Sequence, residues 1–296
     1  MKNKELNYVK NVIKLNNTSS IYKDLKEVFE FDENGIPKFV NGEALYLAWQ
    51  AIKNISSDME QELMEQRFYR NSEERYRESI QHHMKRIDGN KFMMGSDKNA
   101  KIKYCGEEPK HEVQLNSFLV SDIAVSSELY KQYNPKAEIT ECDNMPAGNL
   151  SWYDAVMFSK WVNCRLLTEA EWEYASRGDS KGDWCCEKEE DLSKYAWYSE
   201  NSDGYIHEIG RLEPNTYGLF DIHGNLWEWC ADSYEKDYYA RSPMYSPLNN
   251  SNTFKKVCRG GSIHAFSEMC RCNFRNYESI DFYAADVGMR LAKNVE

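Results

Sequence analysis

The sequence predicts an α+β domain of short strands, few helices and long loops over residues 88–296, preceded by a helical N-terminal region, residues 1–87. Three observations carry this. Apolar residues recur at helical spacing throughout the first 87 positions, but in only two capped segments beyond them. After Asp88, glycine-punctuated turns separate short apolar runs. Aromatic residues make up 14% of the 296-residue chain, with 20 Tyr and 8 Trp, which suits a sizeable core carrying much loop.

Leu6, Val9, Val12 and Ile13 form one apolar stripe, and Ile21, Leu25, Val28 and Phe29 a second. Residues 32–37 are a turn. Residues 44–55 form a third helix with Leu45, Trp49 and Ile52 on one face. Residues 58–87 read as a long charged helix with sparse apolar positions: Met59, Leu63, Phe68, Tyr76, Ile80 and Met84. Such a helix lies solvated along an edge, or docks a partner. His82 and His83 point about 100° apart on a helix, so they do not face one metal.

From Asp88 the pattern changes. Asp88-Gly89-Asn90 is a turn, and residues 91–95 are a short strand. Residues 112–125 read as strand with a bend near Asn116. Ser151 is the expected N-cap of a helix whose apolar face holds Ala155, Val156, Phe158, Trp161 and Val162, ending near Asn163. Thr168-Glu169-Ala170-Glu171 is a capping box, so a second helix runs to about Ser176, with Gly178 past its end. Residues 179–213 are loop-rich, and Cys185-Cys186 reads as two reduced thiols.

The most informative stretch runs from Pro214 to Asp232. Gly218 and Gly224 punctuate it. Trp227 and Trp229 flank Glu228, so at strand alternation the indoles share one face and the carboxylate takes the other. Asp221 and Glu228 lie on either side of the Gly224-Asn225 turn. A bent backbone offering carboxylates and carbonyls suits a hard, oxygen-binding cation.

This stretch resembles the Gly-Leu-Tyr-Asp-Met-x-Gly-Asn-Val-Trp-Glu-Trp signature of the formylglycine-generating-enzyme, or sulfatase-modifying-factor, family. Further blocks follow the family order. They are Phe92-Met93-Met94-Gly95-Ser96 with Glu108-Pro109; Asn149-Leu150-Ser151-Trp152 with Arg165-Leu166-Leu167-Thr168-Glu169-Ala170-Glu171-Trp172; Arg259-Gly260-Gly261-Ser262; and Val287-Gly288-Met289-Arg290-Leu291. The resemblance covers roughly residues 88–293 and implies a C-type-lectin-like fold. The chain departs from the pattern in a shortened link between Trp161 and Arg165, and in Leu167 where the family carries proline.

The resemblance implies a structural calcium ion held by a side-chain oxygen of Asp221, the carbonyls of Gly224 and Leu226, and the carboxylate of Glu228. Its copper enzymes oxidise a cysteine of a target protein and bind copper through two cysteines, since soft thiolates suit Cu(I). Counted from Gly260-Gly261-Ser262, the first of these positions is Ala265 and the second Cys270. Aligning Arg271-Cys272 instead moves the first to Ser267. Against that pattern at least one thiolate is missing, which leaves Cys270 and Cys272 as the catalytic candidates. A sulfoxide-synthase branch uses three histidines on iron, and would need one of His111, His207, His223 or His264 beside His82 and His83. A third, non-enzymatic branch displays ligand-binding residues between the Gly-Gly-Ser strand and the closing strand. That segment here holds Ile263, His264, Phe266, Tyr277, Ile280, Asp281, Phe282 and Tyr283.

The favoured expectation is therefore a calcium-stabilised module, or degenerate enzyme, that binds a protein or small ligand through this face. The alternative is an atypical copper- or iron-dependent oxidoreductase. A net charge of −11 without a basic stripe argues against nucleic-acid binding. No apolar run reaches membrane-spanning length, and nine cysteines without an apolar leader imply a cytoplasmic protein with free thiols.

Overall fold

The computed structural model describes residues 80–295, excepting 101, 103, 105, 135, 136, 140, 141 and 143, together with two short strands near the N-terminus. These are β1 (Glu30–Phe31) and β2 (Pro37–Lys38), antiparallel with Phe31 opposite Pro37. Pro37, the last residue of the expected 32–37 turn, opens β2, and residues 32–36 lie outside the described residues. The expected helices of residues 1–29 and 39–79 lie outside the described residues.

Residues 80–83 are helical, but Met84–Ile87 is a strand, β3, where the sequence pattern extends the charged helix. The reason is its place at a sheet edge. Lys85 and Arg86 are exposed and Ile87 is buried, and charges on an edge strand look like charges on a solvated helix. Next come β4 (Lys91–Met94) and β5 (His111–Gln114), an antiparallel pair. The expected bend near Asn116 separates β5 from β6 (Phe118–Ser121).

Three helices follow, of which α1 (Ser127–Tyr133), capped by Ser126, has no counterpart in the sequence pattern. The expected caps form the other two. Helix α2 (Trp152–Trp161) starts at Ser151 with a capping box to Asp154. Short strand β7 (Arg165–Leu166) leads to α3 (Glu169–Arg177). There the Glu171 amide donates to Thr168 Oγ1 at 3.2 Å and the Thr168 amide to Glu171 Oε2 at 2.9 Å, satisfying two N–H groups that have no partner within the helix. Leu167, at the family's proline position, is fully buried.

The remaining strands are β8 (Ala196–Trp197), β9 (His223–Gly224), β10 (Trp227–Ser233), β11 (Lys255–Arg259), β12 (Asn276–Ser279), β13 (Val287–Gly288) and β14 (Leu291–Asn294). They build two four-stranded sheets, β12-β11-β10-β13 and β3-β6-β14-β7. The second closes the domain by setting β14, at the C-terminal end, between β6 and β7. One apolar cluster lies between α2, Trp229, Val287 and Met289, and another between α3, β5, β6 and Leu219. A fold of short strands, few helices and long connections is what the sequence predicts.

Candidate functional site

The Pro214–Asp232 stretch is buried through most of its length. Gly224 has φ +74°, and a Cβ there would stand 2.1 Å from Trp197 O, so only glycine lets β9 lie this close to β8. Strand alternation holds in β10. Trp229 is buried with Nε1 donating to Leu150 O at 2.8 Å, and half-buried Trp227 packs against the same cluster. Glu228 points the other way, where it accepts from Trp172 Nε1 at 2.8 Å and from Arg290 Nε at 3.0 and 3.2 Å. Arg290 continues to the carbonyls of Ser121 and Phe220.

Among the expected calcium residues, Asp221 therefore differs from Glu228. Both are buried. Asp221 Oδ2 accepts from the Gly210 amide at 2.7 Å, while Oδ1 has no partner. Burial pushes its carboxyl up from the usual range. Both oxygens of Glu228 are taken by cationic or N–H donors, and the Gly224 carbonyl accepts from the Leu226 amide at 2.8 Å. Asp221 fits a cation. Glu228, held by Arg290, offers no free carboxylate.

The thiol region is built differently. Ala265 and Cys270 are both buried, and they pack in one apolar cluster with Trp184, Cys186, Leu192, Ala196 and Tyr198. Gly261, φ +80°, leaves the space that the Cys270 sulfur fills, since a Cβ would meet it at 2.5 Å. Burial pushes the Cys270 thiol up to about 12 and the Cys272 thiol up to about 11, so both carry their protons at neutral pH in the metal-free protein. Cys272 faces His223, Sγ lying 4.0 Å from Nε2. His223 Nδ1 contacts Cys270 O at 2.7 Å, and the Cys185 amide donates to Nε2 at 3.3 Å. This pairing makes Nδ1 the protonated nitrogen. Burial lowers the His223 pKa to about 4. Ser267, the alternative first thiolate position, is also buried. The described cysteines are unpaired. Among the described residues, no three His, Cys, Asp or Glu side chains group as a metal site.

The Ile263–Asp286 segment supplies a surface. His264, Phe266, Tyr277, Asp281, Phe282 and Tyr283 are exposed, Phe266 and Tyr283 by 61% and 64%. Ile263 is not part of it: its side chain is buried and its carbonyl accepts from Ser202 Oγ at 2.8 Å. Ile280 is half-buried. A groove of about 480 Å³ opens beside this segment, lined chiefly by Tyr104, Tyr234, Lys255, Phe274, Arg275 and Tyr277. Tyr234 and Tyr277 are stacked at 4.1 Å, and Tyr104 meets Phe274 edge-on at 4.9 Å.

Buried arginines hold the floor. Arg259 donates to Glu169 Oε1 (3.0 Å), Glu173 Oε2 (2.9 Å), Tyr239 Oη (2.9 Å), and the carbonyls of Cys272 (2.7 Å) and Phe274 (2.8 Å). Arg275 grips both oxygens of Glu169 at 2.7 and 2.8 Å. Arg271 reaches Glu107 Oε1 at 2.7 Å. Burial raises the carboxyl of Glu169, but Arg275 and Arg259 outweigh it and hold the group below its ordinary value. Sequence reasoning missed this set. Arg259 heads the Arg-Gly-Gly-Ser block, and Glu169 looks like an ordinary acid of a first helical turn; nothing local joins them.

Residues 69–295 match the sulfatase-modifying factor enzyme 1-like domain. The chain is 32% identical to a formylglycine-generating enzyme of Streptomyces coelicolor, covering 54% of this chain and 56% of that one. It is 28% identical to the serine/threonine-protein kinase pkn1 of Chlamydia caviae, covering 71% of this chain and 38% of that one. It thus spans about half or less of the length of these two curated relatives. Among solved structures, Treponema denticola variable protein 1 superposes with a TM-score of 0.62 at 25% identity, over 72% of this chain and 95% of that one. PvdO from Pseudomonas aeruginosa gives a TM-score of 0.66 at 23% identity, over 72% and 94%. Among the described residues, no helix is long and apolar enough to cross a membrane. With the domain match spanning most of its length and the fold shared with these structures, the chain belongs to the sulfatase-modifying factor enzyme 1-like domain family.

Proposed function

We propose that this chain is a binding module on the family's fold, recognising a protein or small ligand through the His264–Tyr283 face, without the two-thiolate copper chemistry of the formylglycine-generating enzymes. The observation that carries the reading is the substitution at the thiol positions. Ala265 offers no ligand, and Cys270 is sealed in an apolar cluster with its thiol pushed up to about 12. A Cu(I) site needs soft, ionisable thiolates that the metal can reach. The exposed rings of Phe266, Tyr277, Phe282 and Tyr283 supply contact area of the kind that dominates recognition surfaces.

A structural calcium ion at Asp221 belongs to the same proposal. Its support is the buried, unpartnered Oδ1, which an oxygen-binding cation would satisfy. Glu228 is not part of the proposed ligand set.

One observation favours the rival reading, a metal-dependent oxidoreductase with an unfamiliar ligand set: the unprotonated Nε2 of His223, which accepts from the Cys185 amide, also faces Cys272 Sγ at 4.0 Å. Titration of Cu(I) into the full chain against a colorimetric chelator separates the two, with Cys270→Ser and Cys272→Ser alongside. The binding-module reading expects all three proteins to compete equally weakly. One tightly held Cu(I) per wild-type chain, lost in either variant, overturns it.

A further inference from the structure

We infer that the groove between Tyr104 and Tyr277 binds an acidic peptide segment carrying an aromatic side chain. The inference rests on the binding-module reading and names a ligand class for that face. At about 480 Å³ the groove lies in the range of small-ligand pockets. Its walls are rings that are already braced. Tyr277 lies on Tyr234, and Tyr104 stands edge-on to Phe274, yet Tyr104 and Tyr277 remain 41% and 37% exposed. An incoming aromatic side chain meets fixed rings, at little cost in side-chain ordering.

Charge selects the sign of the partner. Arg275 is fully committed to Glu169 and the carbonyls of Gly106 and Glu235. The Glu235 carboxylate takes Arg241 and Asn249. Lys255 is different. It is exposed, its Nζ lies 4.3 Å from the centroid of Tyr277, and among the described residues it makes no ion pair. The groove therefore presents an uncompensated positive charge on a chain whose net charge is −11. A carboxylate reaching Lys255 gains an ionic partner without breaking an existing one.

The strand arrangement selects a peptide. β12, which carries Tyr277, is the outermost strand of its sheet. Extended peptides add to such edges through backbone hydrogen bonds, while alternate side chains fill adjoining pockets.

The test uses the full chain and two fluorescein-labelled peptides, Asp-Tyr-Asp-Tyr-Asp and Lys-Tyr-Lys-Tyr-Lys, followed by fluorescence anisotropy at low and high salt. The acidic peptide is expected to bind at least about tenfold more tightly than the basic one, and more weakly as salt rises. Lys255→Glu, an exposed change, should weaken it about tenfold or more with an unaltered melting curve. Tyr277→Ala should weaken it too, and Phe266→Ala should not. Absence of binding, equal binding of the two peptides, or indifference to Lys255→Glu overturns the inference. If Phe266→Ala abolishes binding and Lys255→Glu does not, the groove assignment fails while the binding-module reading stands. That reading is itself judged by the copper titration.

Discussion

Replacing Arg259 by methionine tests whether the buried ion network sets the floor of the proposed face. The side chain is fully buried, and methionine keeps an unbranched apolar stem without the charge. Glu169 keeps Arg275, and Glu173 keeps Arg177 at 2.8 Å and the Gly95 amide at 2.9 Å. Each carboxylate keeps a cationic partner, so the full penalty of an unpaired buried charge does not apply, although Glu173 Oε2 loses the Arg259 donor. The carbonyls of Cys272 and Phe274 do lose their donor. Orphaning buried groups costs about 1–3 kcal/mol each, and lost charged hydrogen bonds add to it. The expected destabilisation is about 4 kcal/mol, a large share of the roughly 5–15 kcal/mol by which folded proteins are stable. Urea unfolding followed by tryptophan fluorescence measures it. Arg241→Met, which removes an exposed pair with Glu235, is the control and should change stability by less than about 1 kcal/mol. A cost below about 1 kcal/mol for Arg259→Met, or one equal to the control, refutes the reasoning.

Three further outcomes are expected. Burial lowers the pKa of His223 from 6.5 to about 4, so its contribution is present above pH 6.5 and lost as pH falls towards 4, by at most about 3 kcal/mol; a His223→Asn variant should flatten that acid limb in thermal melts. Asp232 has the opposite sign. Burial, then the charge of Glu169, raises its pKa from 3.8 to about 7, so stability is lost as pH rises from about 4 through 7, and Asp232→Asn should remove that slope. If Asp221 Oδ1 holds calcium, adding the ion at about a hundredfold over its dissociation constant stabilises wild type by about 2.7 kcal/mol. Differential scanning fluorimetry should then show no calcium response in Asp221→Ala.

What was legible in the sequence was local. Ser151 and Thr168 announce their helices because a cap is satisfied within three residues. Trp227, Glu228 and Trp229 give their alternation directly. β3 was not legible, since Lys85 and Arg86 suit a solvated helix as well as an edge strand. The sequence places Glu228 beside Asp221 as an oxygen donor, and nothing local signals its pairing with Arg290, 62 residues away. The same distance hid the Arg259 network, whose carboxylates lie 90 and 86 residues earlier. The groove joins Tyr104 to Tyr277 through contacts with no sequence periodicity. The sequence places Ala265 or Ser267, neither a thiol, at the first copper position that the resemblance implies; the burial of Cys270 needed the fold.

Metal content and thiol reactivity, measured together on full-length protein purified without chelator, test the central claim most directly. The account predicts neither copper nor iron in stoichiometric amount. Exposed Cys142 should react readily, while Cys270 and Cys272 should react only on denaturation, whether or not a chelator is present. Stoichiometric copper or iron, with two thiols released by chelator alone, would contradict the account and make the chain an oxidoreductase.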